Sequence, residues 1–195
     1  MAAGKSARRA KHDRIGCGVR YGALMNGQLL QDAFGHHVWA SVAVLDLCAP
    51  LTPEQLDTNV PGTYGSIIDT LRHLVGGDYG YLEVLAPGAV EPFDDSAAGI
   101  EELRAAMAAT GPVWVALLDG DIDPDRTMTR NRDDGSTSSA PMSVRLAQVV
   151  HHGTDHRSQV CTALTTLGIE PPEIDVWAYA WKDGRLSETE PTIAG

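Results

Sequence analysis

The chain has 195 residues, enough for one domain with a sizeable core, and its 43% hydrophobic and 21% charged content is ordinary for a globular protein. A formal net charge of -11 argues against non-specific nucleic-acid binding, which needs a basic surface. No apolar run approaches the roughly 20 residues that span a bilayer, and three cysteines without ligand-like spacing (Cys17, Cys48, Cys161) fit a reduced, cytoplasmic setting.

The charge is unevenly spread. Residues 1–24 carry six Lys or Arg against one acid, Asp13, which leaves nine basic and 25 acidic residues in the rest. A basic leader poor in apolar residues is expected to be disordered, with residues 25–195 forming a single folded domain. Arg8-Arg9 is not followed by an apolar stretch, so no secretory or twin-arginine signal is expected.

Four helices are predicted in chain order. The first runs from about Asn26 to Ala49, with Leu29, Leu30, Ala33, His37, Ala40, Val44 and Leu47 at three- and four-residue steps, and Pro50 ends it. The second runs from about Thr63 to Leu85 and stops at Ala86-Pro87-Gly88. The third starts near Ser96, a plausible N-cap, and continues to Leu118 with a bend at Gly111-Pro112. The fourth spans Met142 to Leu167 and closes at Gly168. Between the third and fourth, the alternation of Thr127, Met128 and Thr129 before Asp133-Asp134-Gly135 predicts a small hairpin or ordered loop. The aromatic segment DVWAYAW is expected to dock on the helices. The fold class is therefore all-α, an antiparallel four-helix bundle.

The fourth helix carries an anomaly, VVHHGTDHRSQV. His152 and His156 lie four residues apart, one turn along the same face. They interrupt an apolar stripe of Val149, Val160, Ala163 and Leu167, so they face inward. Two adjacent imidazoles in a core are costly unless something shares their lone pairs, and a divalent metal does so directly. Gly153 costs about 1 kcal/mol against alanine in a helix, which implies a close backbone approach. The third ligand is sought on another helix. His73 sits on a stripe of small and polar residues, Ser66, Thr70, Gly77 and Gly80, where Gly77 and Gly80 are expected to leave a cavity. Residue type rules out two familiar sites: a zinc-protease motif needs glutamate where Gly153 stands, and a di-iron carboxylate bundle needs two Glu-x-x-His motifs that the sequence lacks.

These segments, TLRHLVGGDYGYL with VVHHGTDHRSQV, together with FGHHVWASVAVLDLC and LGIEPPEIDVWAYAW, resemble the DinB-like superfamily of metal-binding four-helix bundles. The resemblance covers about Leu29 to Trp181. It implies His73, His152 and His156 as ligands of a divalent metal, zinc or nickel. His151 stands where an asparagine is usual and Asp155 where many members have histidine; both are expected to affect bonding around the ligands. His37, Trp39 and Tyr81 are candidate pocket residues, while Arg157 and Gln159 are assigned structural roles. Three histidines with an open position are the arrangement of a catalytic metal. The resemblance implies a thiol-dependent S-transferase or a hydrolase, with a low-molecular-weight thiol such as mycothiol or bacillithiol as co-substrate. The alternative is a stress-associated metal-binding protein without turnover. The expected partners are small molecules and a second copy in a homodimer, with neither nucleic acid nor membrane.

Overall fold

Helix ends in this chain are set by short polar residues and by glycine. The computed structural model describes residues 16–132 and 134–189. Helix α1, Gly16–Cys48, stops before Pro50. It begins at Gly16 rather than near Asn26; the remainder of the leader reading, residues 1–15, lies outside the described residues. Thr52 opens the short α2, Pro53–Leu56, with a reciprocal cap: its hydroxyl accepts from the Gln55 N–H at 3.3 Å and its own N–H donates to Gln55 Oε1 at 3.0 Å.

Helix α3, Ile67–Leu85, starts later than the expected Thr63, because the Thr63 hydroxyl donates to the carbonyls of Val60 and Gly65 and holds a turn there. Ser66 is its N-cap, accepting from the Asp69 N–H. Helix α4, Ile100–Leu118, starts at the Gly99 cap rather than at Ser96, whose N–H is taken by Asp94 Oδ1 in a local turn. It passes through Gly111-Pro112 as one element. Strands β1, Thr127–Asn131, and β2, Thr137–Pro141, pair antiparallel with Met128 opposite Ala140, the expected hairpin. Helix α5, Met142–Thr166, follows directly, and Gly168 at φ 73° closes it. Helix α6, Val176–Lys182, is capped by Asp175 and lies on α1, where His36 Nε2–H donates to the Ile174 carbonyl at 2.7 Å. Its docking is one-sided, since Trp177 and Trp181 remain exposed. No helix among the described residues is long and apolar enough to cross a membrane.

The four long helices pack as a ring in which α1 and α3 each touch both α4 and α5. One apolar cluster joins Val44, Leu45 and Cys48 of α1 to Ile67 and Leu71 of α3, Leu103 and Met107 of α4, and Val160 and Leu164 of α5. The other joins Phe34, Leu82, Leu85, Trp114, Leu118, Leu146 and Val149. One end of the bundle thus holds the last turns of α1 and α5 and the first turns of α3 and α4. Helices α3 and α4 run the same way, and α1 and α5 run opposite to them. The connection after α3 must therefore return the length of the bundle, as long crossovers do in other bundles. It does so along α3 itself: Phe93 meets Tyr79 at 5.0 Å between ring centroids, Asp95 lies on Gly76, and the Ala98 carbonyl accepts from Arg72.

Between the two apolar clusters lies a polar belt. His37 and Ser41 of α1, Asp78 of α3, Thr110 of α4 and Arg157 of α5 are all buried in it. The histidines of α3 and α5 stand at the same level.

Candidate metal centre

His73 on α3 meets His152 and His156 on α5, and one nitrogen from each falls within 4.8 Å of the others. His73 Nε2 and His152 Nε2 are 3.2 Å apart. Two nitrogens sharing a tetrahedral zinc at 2.0–2.1 Å stand about 3.3 Å from each other. The ring centroids are 5.0, 4.8 and 4.4 Å apart and the rings lie at steep angles, so edges rather than faces converge.

Protonation favours ligation. Burial, helped by the neighbouring His156 and His73, pushes the His152 imidazole down from 6.5 to about 4. Burial and then His156 lower His73 in the same direction. Near neutral pH these rings carry lone pairs rather than charge.

The orientation of His156 is fixed by a partner on its own helix. Gln159 Oε1 accepts from the Tyr64 backbone N–H at 2.9 Å, which identifies it as the amide oxygen. His156 Nδ1 lies 3.1 Å from the same oxygen and must donate to it, which leaves Nε2 as the bare nitrogen turned toward the cluster. His152 is held differently. Its Nδ1 is buried without a hydrogen-bond partner, and the ring is placed by packing against Gly77 and the Tyr81 ring, 5.6 Å away. Three imidazoles whose ring nitrogens converge could hold a divalent metal ion.

The other expected site residues divide. Tyr81 adjoins His152. Gly77 is in the site, but the expectation that it keeps a cavity open is corrected: a Cβ there would stand 2.6 Å from His152 Cε1, so the imidazole already fills that space. Gly80 lies under the Arg130 guanidinium, whose nearest atom would be 3.6 Å from a Cβ there. Trp39 is displaced from the site; it lines a separate cavity of about 370 Å³ between α1, α4 and α6, against Tyr179. His151 and Asp155 are exposed on α5 and bond to none of the three histidines, so they do not tune the ligands by direct contact. His37 is fully buried below the cluster and is engaged by Asp78 and Arg157. Gly153 does permit a close approach, and what approaches is the His37 ring.

Two residues were not foreseen as neighbours of the cluster. Gln159 bonds to His156, whereas its helical angle had suggested a role away from the site. Tyr64 stacks on His73 at 4.0 Å and 10° and meets His156 edge-on at 5.5 Å. It lies in a loop, where periodicity gives no direction. Tyr64, Gly65, Asp69, Arg72, His73, Asp95 and Ser96 line an open groove of about 580 Å³ beside the cluster.

No curated protein matches the chain. The family model described as DinB family matches residues 25–191, and the chain belongs to that family.

Proposed function

We propose that this DinB-family chain binds a divalent metal, zinc or nickel, through His73, His152 and His156, and acts as a thiol-dependent S-transferase or a hydrolase. The observation that carries the reading is the convergence of three imidazole nitrogens at ligand spacing from two helices. A divalent ion there would supply Lewis acidity that makes a thiol or water a better nucleophile near neutral pH.

The chain's own residues set the conditions for that chemistry. Gln159 holds His156 with its Nε2 turned inward. Gly77 lets His152 pack against the α3 backbone. Tyr64 covers the face of His73, so a substrate reaches the cluster past its ring, along the groove bounded by Asp69, Arg72 and Asp95. Metal, thiol and substrate belong to this proposal together.

The test pairs elemental analysis with turnover of a model electrophile in the presence of a low-molecular-weight thiol. Wild-type protein is expected to hold about one ion per chain and to turn over; His152→Ala should do neither. A second reading, metal binding without turnover, draws support from one feature. Among the described residues, the groups hydrogen-bonded to the three imidazoles are Gln159 and another imidazole, with no carboxylate or hydroxyl. Stoichiometric metal with no turnover would favour it.

A further inference from the structure

The polar belt contains a second cluster that no step of the proposed chemistry uses. His37 Nε2 lies 3.0 Å from both Asp78 carboxylate oxygens, and its Nδ1 lies 3.0 Å from an Arg157 amino nitrogen. Arginine only donates, so His37 Nδ1 accepts and Nε2–H donates to Asp78. Asp78 Oδ2 also accepts from the Trp114 indole N–H at 3.1 Å. Arg157 donates further to the Ser41 hydroxyl at 3.0 Å, to the His37 carbonyl and to the Thr154 hydroxyl at 3.2 Å.

This chain of bonds joins all four long helices: His37 and Ser41 from α1, Asp78 from α3, Trp114 from α4, Arg157 and Thr154 from α5. Its members alternate in sequence with the residues of the metal cluster. Asp78 follows Gly77, against which His152 packs. Gly153 and Thr154 follow His152, and a Cβ at 153 would strike the His37 ring. Arg157 follows His156. The backbone segments that carry His152 and His156 are thus fastened from below.

We propose that His37 is a positioning residue for the metal cluster: by bridging Asp78 and Arg157 it fixes the approach of α5 to α3 at which His152 and His156 meet His73. The inference rests on the reading of the three histidines as ligands.

Two substitutions divide the bridge. In His37→Gln the side-chain nitrogen reaches about where Nε2 lies and keeps the bond to Asp78, but the acceptor for Arg157 is lost. In His37→Asn the oxygen stands about where Nδ1 lies and keeps the Arg157 bond, the one that reaches the ligand-bearing helix. Leu103→Ala, in the apolar cluster at one end, serves as a control for general loss of stability.

Cobalt(II) uptake, followed by its visible spectrum and by competition with zinc, is expected to weaken at least tenfold in His37→Gln with a changed band shape. His37→Asn should recover most of the affinity, and Leu103→Ala should stay within about twofold of wild type. A second readout needs no metal: the imidazole resonances of His152 and His156 in the metal-free protein should move in His37→Gln and return toward wild type in His37→Asn. Wild-type affinity and spectrum in His37→Gln, or an equal loss in Leu103→Ala, would overturn the proposal. If His37→Gln does not fold, His37→Asn decides alone: near-wild-type uptake supports the proposal and a tenfold loss overturns it. If wild-type protein takes up no cobalt, the metal reading falls, and the resonances alone decide whether His37 positions the cluster.

Discussion

Two polar clusters share one level of the bundle and differ in a single respect. Around Asp78, His37 and Arg157, both imidazole nitrogens, the carboxylate, the Trp114 N–H and both Arg157 amino groups are hydrogen-bonded, and Asp78 and Arg157 are joined through an imidazole. Around His73, His152 and His156, two nitrogens face each other at 3.2 Å and one buried nitrogen has no partner. The first cluster is complete without any added group. The second has no such closed set. Buried polar groups demand partners; in the proposed reading a metal would take the converging nitrogens, while His152 Nδ1, beside Gly77, stays without one.

The largest expected effect breaks the closed cluster. Burial lowers the Arg157 pKa from 12.5 to about 10, with Asp78 opposing the shift. Asp78→Ala leaves that guanidinium buried without its counter-charge, and should cost about 3–5 kcal/mol of unfolding free energy in urea titrations. An unchanged midpoint would show that the carboxylate is not paired as described.

Acid should act on the open cluster. His152 has a folded pKa of about 4 against 6.5 for the free side chain, so the unfolded chain binds the proton first. Its contribution causes no loss above about pH 6.5, and metal-free protein should lose stability as pH falls from 6.5 toward 4. Thermal melts across that range would test the sign. His152→Ala should flatten the dependence; an unchanged slope would place its origin elsewhere.

The smallest expected effect on the fold comes from Gln159→Leu. It removes the acceptor that orients His156 and should weaken metal binding about tenfold, while unfolding free energy moves by no more than about 1 kcal/mol. Zinc competition against a chromophoric chelator measures the first quantity and urea titration the second. Equal affinity in both proteins would mean that packing alone orients His156.

The sequence made part of this contrast readable and hid the rest for a physical reason. Spacing along one helix reports which residues share a face, and it placed His152 and His156 inward on α5 and His73 on the small-residue stripe of α3. It also located the hairpin and the proline and glycine stops. It says nothing about which polar residues on different helices meet. Arg157 is assigned a structural role without a partner and Asp78 draws no reading, because their burial depends on residues distant in sequence; His37 and Arg157 are 120 residues apart. Tyr64 and the return of 86–99 along α3 are loop properties, set by turn bonds such as those of Thr63. Trp39, a candidate pocket residue, lies two helical steps from His37, so the two side chains point about 200° apart and Trp39 lines another cavity.

The placement of α5 after the other three long helices has a consequence for biosynthesis. A ribosome completes α1, α3 and α4 before α5 exists, and α5 brings two of the three histidines, the Arg157 end of the buried bridge and one wall of each apolar cluster. His73 must therefore wait for a partner 79 residues downstream. Contacts over such distances close late and slowly, so the early helices expose both halves of their interior until α5 arrives. In the proposed reading, a metal ion would meet its full ligand set only after α5 has docked on α3.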